Sequence, residues 1–270
     1  MKATPRAVGR DTPVLIPPGA CLVPGHSMVK GLQRQLIDRI GNAIATGDLT
    51  AGEQIVPEAL AATHGVSRTV VREALKVLET KGLVSARPRT GTRISPLEDW
   101  HLLDSDVIRW RSAGPDSSRQ IEELLTIRGA IEPLAAREAS SRTIPAQLDR
   151  LDAALDAMSS AVDHQDWDRF TEADVTFHRH LLICSGNQIM MRFAEPIEAA
   201  IRVRARLHLI PDELTPRVVE SHRAIREAIA EQDPATAERA CRSIVDVAGL
   251  ETMKSLAQDA SNPTEQRSAP

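Results

Sequence analysis

From position 28 onward, apolar residues return every three or four positions, the spacing of a helix with one buried face. Leu32, Leu36, Ile40 and Ile44 set the first such stripe, and Val70, Val71, Ala74, Leu75 and Leu78 a later one. Beyond position 100 the same period predicts helices near 119–140, 146–163, 167–185, 187–209, 217–231 and 234–258, with a short amphipathic helix from Trp100 to Trp110 before them. Gly114-Pro115, Ile144-Pro145, Gly186-Asn187, Pro211 and Asp233-Pro234 punctuate them, since proline and glycine end regular helices. The period changes only at Leu83–Ile94, which reads as two short strands around a turn at Pro88 to Gly91. Residues 1–27 are rich in Pro and Gly, without periodicity, and read as a disordered extension. Met28, just before the first amphipathic helix, reads as a candidate translation start. The fold class expected is mainly α: a winged helix-turn-helix over 28–95, a linker with its short helix over 96–115, an all-α antiparallel bundle over 116–258, and a disordered tail over 259–270.

The N-terminal part carries the clearest chemistry. Glu58–Thr63 is Ala-rich and helix-favouring, and His64-Gly65 ends it where a tight turn needs a left-handed residue. Ser67 is placed to cap the next helix. That helix keeps its apolar stripe inward and presents Arg68, Thr69, Arg72 and Lys76 elsewhere. Arginines in the first turns of a second helix suit the major groove, where a guanidinium pairs bidentately with guanine. Arg87, Arg89 and Arg93, around a turn closed by Gly91, would face phosphates from the wing. From Met28 to Ser95 there are ten Lys or Arg against six Asp or Glu, a net of +4. The whole chain is at −4, so the rest carries −8. A basic module on an acidic body is the footprint of a double-stranded DNA reader.

Composition narrows the rest. Aromatic residues make up 2% of the chain with no Tyr, so the core is built from Leu, Ile, Val and Ala. No apolar run approaches the ~20 residues that span a bilayer, and no membrane partner is expected. Three cysteines (21, 184, 241) are too few and scattered for a disulfide framework, which points to the cytoplasm. Within the bundle, polar side chains interrupt apolar stripes. Arg128 falls in the seam of Ile121, Leu124, Leu125, Ile131 and Ala135; Asp174 and His178 share a face with Phe170, Phe177 and Leu181; His222 sits among Val218, Ile225 and Ile229. A carboxylate, two imidazoles and a guanidinium facing one interior suit a divalent metal (Zn, Ni or Mn) and a small anion. An Asp–His ion pair beside a satisfied core histidine is the other reading of the same residues. An enzyme is disfavoured: no glutamate stands at a metalloprotease spacing, and there is no G-x-S-x-G elbow or phosphate loop. An effector-free DNA-binding protein is the remaining rival.

Residues 30–95 resemble the winged helix-turn-helix of the GntR family. The resemblance rests on Gly65-Val-Ser-Arg-Thr-Val-Val-Arg-Glu-Ala-Leu75, Gly82-Leu-Val84 and Arg89-Thr-Gly-Thr92, with Gly47-Asp-Leu49 and Gly52-Glu-Gln-Ile55 upstream. Many members carry an arginine near the place of Glu58. Residues ~100–255 resemble the FCD ligand domain of the FadR subgroup, through Ile127-Arg-Gly-Ala-Ile-Glu-Pro133, Asp174-Val-Thr-Phe-His178, Ser185-Gly-Asn187 and Glu220-Ser-His222. A homodimer is expected, its two winged modules on the half-sites of a palindromic operator, since operator symmetry mirrors dimer symmetry; the resemblance implies an interior site for a small carboxylate effector. By position Asp174, His178 and His222 match three of that subgroup's four metal ligands, while Ile244 occupies the place of the fourth. Three ligands with an open position, or a metal-free pocket in which the same side chains and Asn187 bind effector hydroxyls, both remain. The Trp100–Trp110 segment and the missing histidine are similar to the branch that answers to sugar acids. That similarity implies a repressor of aldonate or hexonate catabolism, with Arg128 on the effector carboxylate. Lactate, a uronate or a dicarboxylate is the alternative.

Overall fold

The computed structural model describes residues 28–88, 91–142, 144–210 and 213–261. The chain divides into two compact units, one ending at Pro115 and the other beginning at Asp116.

The first unit comprises α1 (Met28–Ala45), β1 (Gln54–Ile55), α2 (Pro57–His64), α3 (Arg68–Thr80), β2 (Val84–Arg87), β3 (Gly91–Ile94) and α4 (Ser105–Arg111). Pro57 opens α2 at a position where its missing N–H costs nothing, and Gly65 ends it at φ +62°. Ser67 then caps α3 by accepting from the backbone N–H of Val70 at 3.3 Å. The buried face of α3 (Val71, Ala74, Leu75, Leu78) shares one core with Leu36, Ile37, Ile40 and Ile44 of α1. The strands form an antiparallel sheet in the order β1-β3-β2, with Arg87 opposite Gly91 and Gln54 opposite Arg93. The expected hairpin is there. β1 was not expected, because two residues are too few to show an alternation.

The stretch expected to act as a linker is packed into this unit. Val107 and Trp110 are buried in its core and Trp100 lies against it. The helix over 100–110 is shorter than its periodicity suggested. A 3-10 turn covers Leu97–Asp99, and α4 starts only after Asp104, whose carboxylate accepts from the N–H groups of Asp106 and Val107. Trp110 explains a glycine inside α1: a Cβ on Gly41 would lie 2.5 Å from the indole ring. The indole N–H donates to Asp38 Oδ1 at 3.0 Å.

The second unit holds α5 (Ser117–Ser140), α6 (Pro145–Asp163), α7 (Trp167–Cys184), α8 (Ala194–Arg206), α9 (Pro216–Ala230) and α10 (Pro234–Ser261), and no strand among the described residues. One apolar core joins α5, α6, α7, α9 and α10 through Ala136, Leu151, Leu155, Met158, Phe177, Leu181, Ile225 and Cys241. A smaller one joins α5, α7 and α8 through Ala135, Val175, Leu182, Ile197 and Ile201. Pro133 sits inside α5 and cannot donate to the carbonyl of Gly129. Arg242 of α10 supplies the missing donor, its Nη1 bonding that oxygen at 3.2 Å.

Two helix bounds depart from the periodicity. The stretch 187–209 is split into a 3-10 turn over Met190–Phe193 and then α8, because Asn187 starts the turn and Pro196 fits only a first helical turn. α10 runs to Ser261, three residues into the expected tail. The expectations for residues 1–27, for Arg89 and for Pro211 fall outside the described residues, as does the tail beyond Ser261.

Candidate nucleic-acid interface and interior polar site

The start of α3 and the wing present cations to solvent. Arg68, Thr69, Arg72 and Lys76 on α3 are exposed, as are Arg87 at the end of β2 and Gly91 at the start of β3. Gly91 takes φ +74°, and a Cβ there would meet Gln54 Nε2 at 2.9 Å, so the wing's return requires glycine. Ser67 is exposed and its hydroxyl is already used as the cap of α3. Lys76 Nζ bonds Glu73 at 2.8 Å, one turn back. Arg93, expected to face phosphate, spends its guanidinium on the carbonyl of Gly52 at 2.8 Å.

The interior site is built from three helices of the second unit. α5 supplies Arg128, α7 supplies Asp174 and His178, and α9 supplies His222. All four are buried, as is Glu132, a fifth member one turn beyond Arg128. Arg128 Nε donates to Glu132 Oε1 at 2.6 Å, and Nη2 stands 3.5 Å from Oε2, which leaves Nη1 outside the pair. His178 lies between two carboxylates. Its Nδ1 is 2.5 Å from Glu132 Oε2, an ionic contact that falls short of hydrogen-bond alignment, and its Nε2 is 3.3 Å from Asp174 Oδ1. The Nδ1–H of His222 donates to the carbonyl of Val218 at 2.7 Å, which turns Nε2 toward Asp174 Oδ1 at 3.0 Å. Phe177 packs edge-on against both imidazoles.

Electrostatics bind the group into a unit. Burial alone would discharge Glu132, but Arg128 and His178 outweigh it and hold its pKa near 2. Burial likewise opposes charge on His178, yet Glu132 and Asp174 raise its pKa to about 9. Asp174 is held well below the carboxylate range, its burial overcome by the two histidines. A donor atom from each of Asp174, His178 and His222 lies within 4.8 Å of the others, a set of two imidazoles and one carboxylate that could hold a metal ion. The nitrogen of His222 that faces away from Asp174 is engaged as in metal sites, by the carbonyl of Val218, while Glu132 lies against the corresponding nitrogen of His178. Ile244 offers no ligand atom and packs against the apolar core.

Asn187 is not part of this cluster. It is exposed past the left-handed Gly186, and its side-chain oxygen accepts from the N–H groups of Ile189 and Met190. Proximity in a motif placed it in the pocket; local capping chemistry accounts for it instead. Glu132 was missed, although its spacing of four from Arg128 puts both on one helical face. Arg204 of α8 was missed as well. Its burial, followed by repulsion from Arg128, lowers its pKa, and it is held by Glu251 and the carbonyl of Leu209, both at 3.0 Å.

Known proteins match both units. Residues 32–94 match the bacterial regulatory proteins of the gntR family, and residues 123–247 match the FCD domain. An uncharacterized HTH-type transcriptional regulator of Mycobacterium tuberculosis is 30% identical over 233 residues, 82% of this chain and 92% of that one. The chain belongs to the GntR family. Within that family, the galactonate operon transcriptional repressor of Escherichia coli is 27% identical over 213 residues, 78% of this GntR regulator and 92% of the repressor. A putative L-lactate dehydrogenase operon regulatory protein of Escherichia coli is 29% identical over 215 residues, 77% and 81% of the two chains. A solved Listeria monocytogenes protein that controls expression of the agr system shares the fold at a TM-score of 0.59, with 19% identity over 86% of this chain and 99% of that one. The protein is therefore a DNA-binding transcriptional regulator of mainly helical fold, with a GntR winged helix-turn-helix and an FCD helical domain. Among the described residues no helix is long and apolar enough to cross a membrane.

Proposed function

We propose that this GntR regulator is a cytoplasmic homodimeric repressor of a sugar-acid catabolic operon, released when an aldonic acid enters its helical unit. The observation that carries this reading is the interior cluster of Arg128, Glu132, Asp174, His178 and His222 in an otherwise apolar core. Buried charge is seldom the most stable filling for a core, so its presence calls for a ligand. A guanidinium with one end outside its ion pair suits a carboxylate, and imidazoles beside a second carboxylate suit hydroxyls. Similarity to the galactonate operon repressor supports the sugar-acid class; similarity to the lactate operon regulator keeps a smaller hydroxy acid as the second reading.

In the DNA-binding unit, Arg68, Thr69 and Arg72 of α3 would read base edges, while Lys76, Arg87 and Arg89 neutralise phosphates and Ser67 and Gly91 shape the approach. Two copies would match the halves of a palindrome, since operator symmetry mirrors dimer symmetry. The effector acts only through its different affinity for the DNA-competent and DNA-incompetent states. Asp174, His178 and His222 fit a divalent metal, which would polarise the carboxylate of a bound acid. Arg128 orients that acid and Glu132 keeps Arg128 and His178 in place.

A thermal-shift screen against hexonates, uronates, lactate and divalent ions tests the proposal: a hexonate is expected to raise the melting temperature most. No response to any acid would overturn it, and a response to lactate alone would favour the second reading. Elemental analysis of the purified protein is expected to find one divalent ion per chain, lost in Asp174→Asn and His222→Ala. Wild-type protein without metal, even after reconstitution, would leave the direct-binding pocket.

A further inference from the structure

An acidic side chain stands among the cations of the reading surface. Glu58, in the first turn of α2, is exposed, and its Oε1 lies 3.9 Å from Nη1 of Arg68, the first residue of α3. The two side chains are 58% and 75% exposed. A pair so open to water contributes little to stability, and α2 is already bounded by Pro57 and Gly65. The effect of Glu58 therefore falls on what the surface binds. Duplex DNA is a polyanion, and a carboxylate beside the reading helix weakens any grip made through the phosphates alone. It weakens a correct site less. Arg68 has to exchange Glu58 for a group on the DNA, and the paired O6 and N7 acceptors of guanine repay that exchange better than one phosphate oxygen. Once released, a carboxylate is also a fit acceptor for the amino group of cytosine.

We propose that Glu58 is a specificity-determining residue of the DNA-reading surface: it holds Arg68 back from phosphates, so that tight binding requires a base edge. Specificity is a difference of affinities, and a repulsive element that penalises wrong sites raises it as surely as a new contact. The proposal rests on the reading of α3 as the recognition helix.

The test uses the full chain and a duplex that the wild-type protein itself selects from a randomised pool. Affinities for this duplex and for a scrambled one are measured by fluorescence anisotropy across a salt series, for wild type, Glu58→Gln, Glu58→Ala and Arg68→Ala. Removing the carboxylate is expected to tighten scrambled-duplex binding about tenfold and to steepen its salt dependence. Binding to the selected duplex should gain much less, so the ratio of the two affinities falls. A repeat selection with Glu58→Gln should relax one base position. Equal gains on both duplexes, with the same bases selected, would overturn the proposal. Arg68→Ala separates the two failures: if it keeps wild-type discrimination, the recognition-helix reading falls; if it loses discrimination while both Glu58 variants keep theirs, only the role of Glu58 falls. Glu58→Gln preserves shape, and thermal unfolding of each variant verifies that the comparison is between folded proteins.

Discussion

Arg128, Asp174, His178 and His222 were legible in the sequence because each breaks an apolar stripe at helical spacing, and burial of all four follows from that spacing. Glu132 was legible in principle, since it lies four residues from Arg128 on the same helical face. Its absence from the expected site understates how tightly the charges depend on one another. Glu132→Ala would strand Arg128 and His178 without their carboxylate, and breaking a buried pair costs about 3–5 kcal/mol. Denaturant unfolding is expected to show a loss of that order, with a smaller one for Glu132→Gln; an unchanged midpoint in both would mean that the pair is open to water. Asp106 gives the first unit an acid limit. Burial works against its charge, but Arg34, Arg109 and Lys81 outweigh burial and hold its pKa far below the carboxylate range, with Asp38 and Asp104 sharing the same cations. A carboxylate whose folded pKa is depressed stabilises the fold above its unfolded value of about 4, and that stability is lost as pH falls through and below it. Melting temperature should therefore drop steeply below about pH 4. Asp106→Asn should melt lower at neutral pH and lose less on acidification; parallel curves would contradict the assignment.

Elements were legible where punctuation is chemical. Pro57, Pro145, Pro216 and Pro234 each open a helix, and Ser67 caps one. Ser67→Ala is expected to cost about 1 kcal/mol through the lost cap alone; a neutral result would mean that water replaces the hydroxyl. Less legible was the packing of α4. Periodicity marked a helix near Trp110, but only the fold shows that Gly41 makes room for its ring. Gly41→Ala gains helix propensity, so on local grounds it would stabilise α1. Steric conflict with the indole should win, with a net loss of about 1–3 kcal/mol, measured by thermal unfolding; a stabilised variant would show that α4 can shift away at little cost. β1 and the 3-10 turn before α8 escaped notice for another reason: at two and four residues, each spans about one period, too little for a repeat to show.

At the scale of the molecule, the division into a basic reading unit and a helical unit was written in charge and periodicity, and both family matches fall within it. Asn187 shows where such inference stops, because a motif gives neighbours in sequence and not in space. The proposed function is a linkage between two sites, one on α3 and one between α5, α7 and α9. It is tested most directly by the affinity of the full-length protein for its selected duplex, measured with and without D-galactonate, for wild type and for Arg128→Ala. The acid should weaken wild-type binding by a factor within the roughly 5–150-fold range of typical couplings. Arg128→Ala should bind the duplex as tightly as wild type and ignore the acid. Release of Arg128→Ala to the wild-type extent, or a wild-type protein that binds no duplex at low salt, would contradict it.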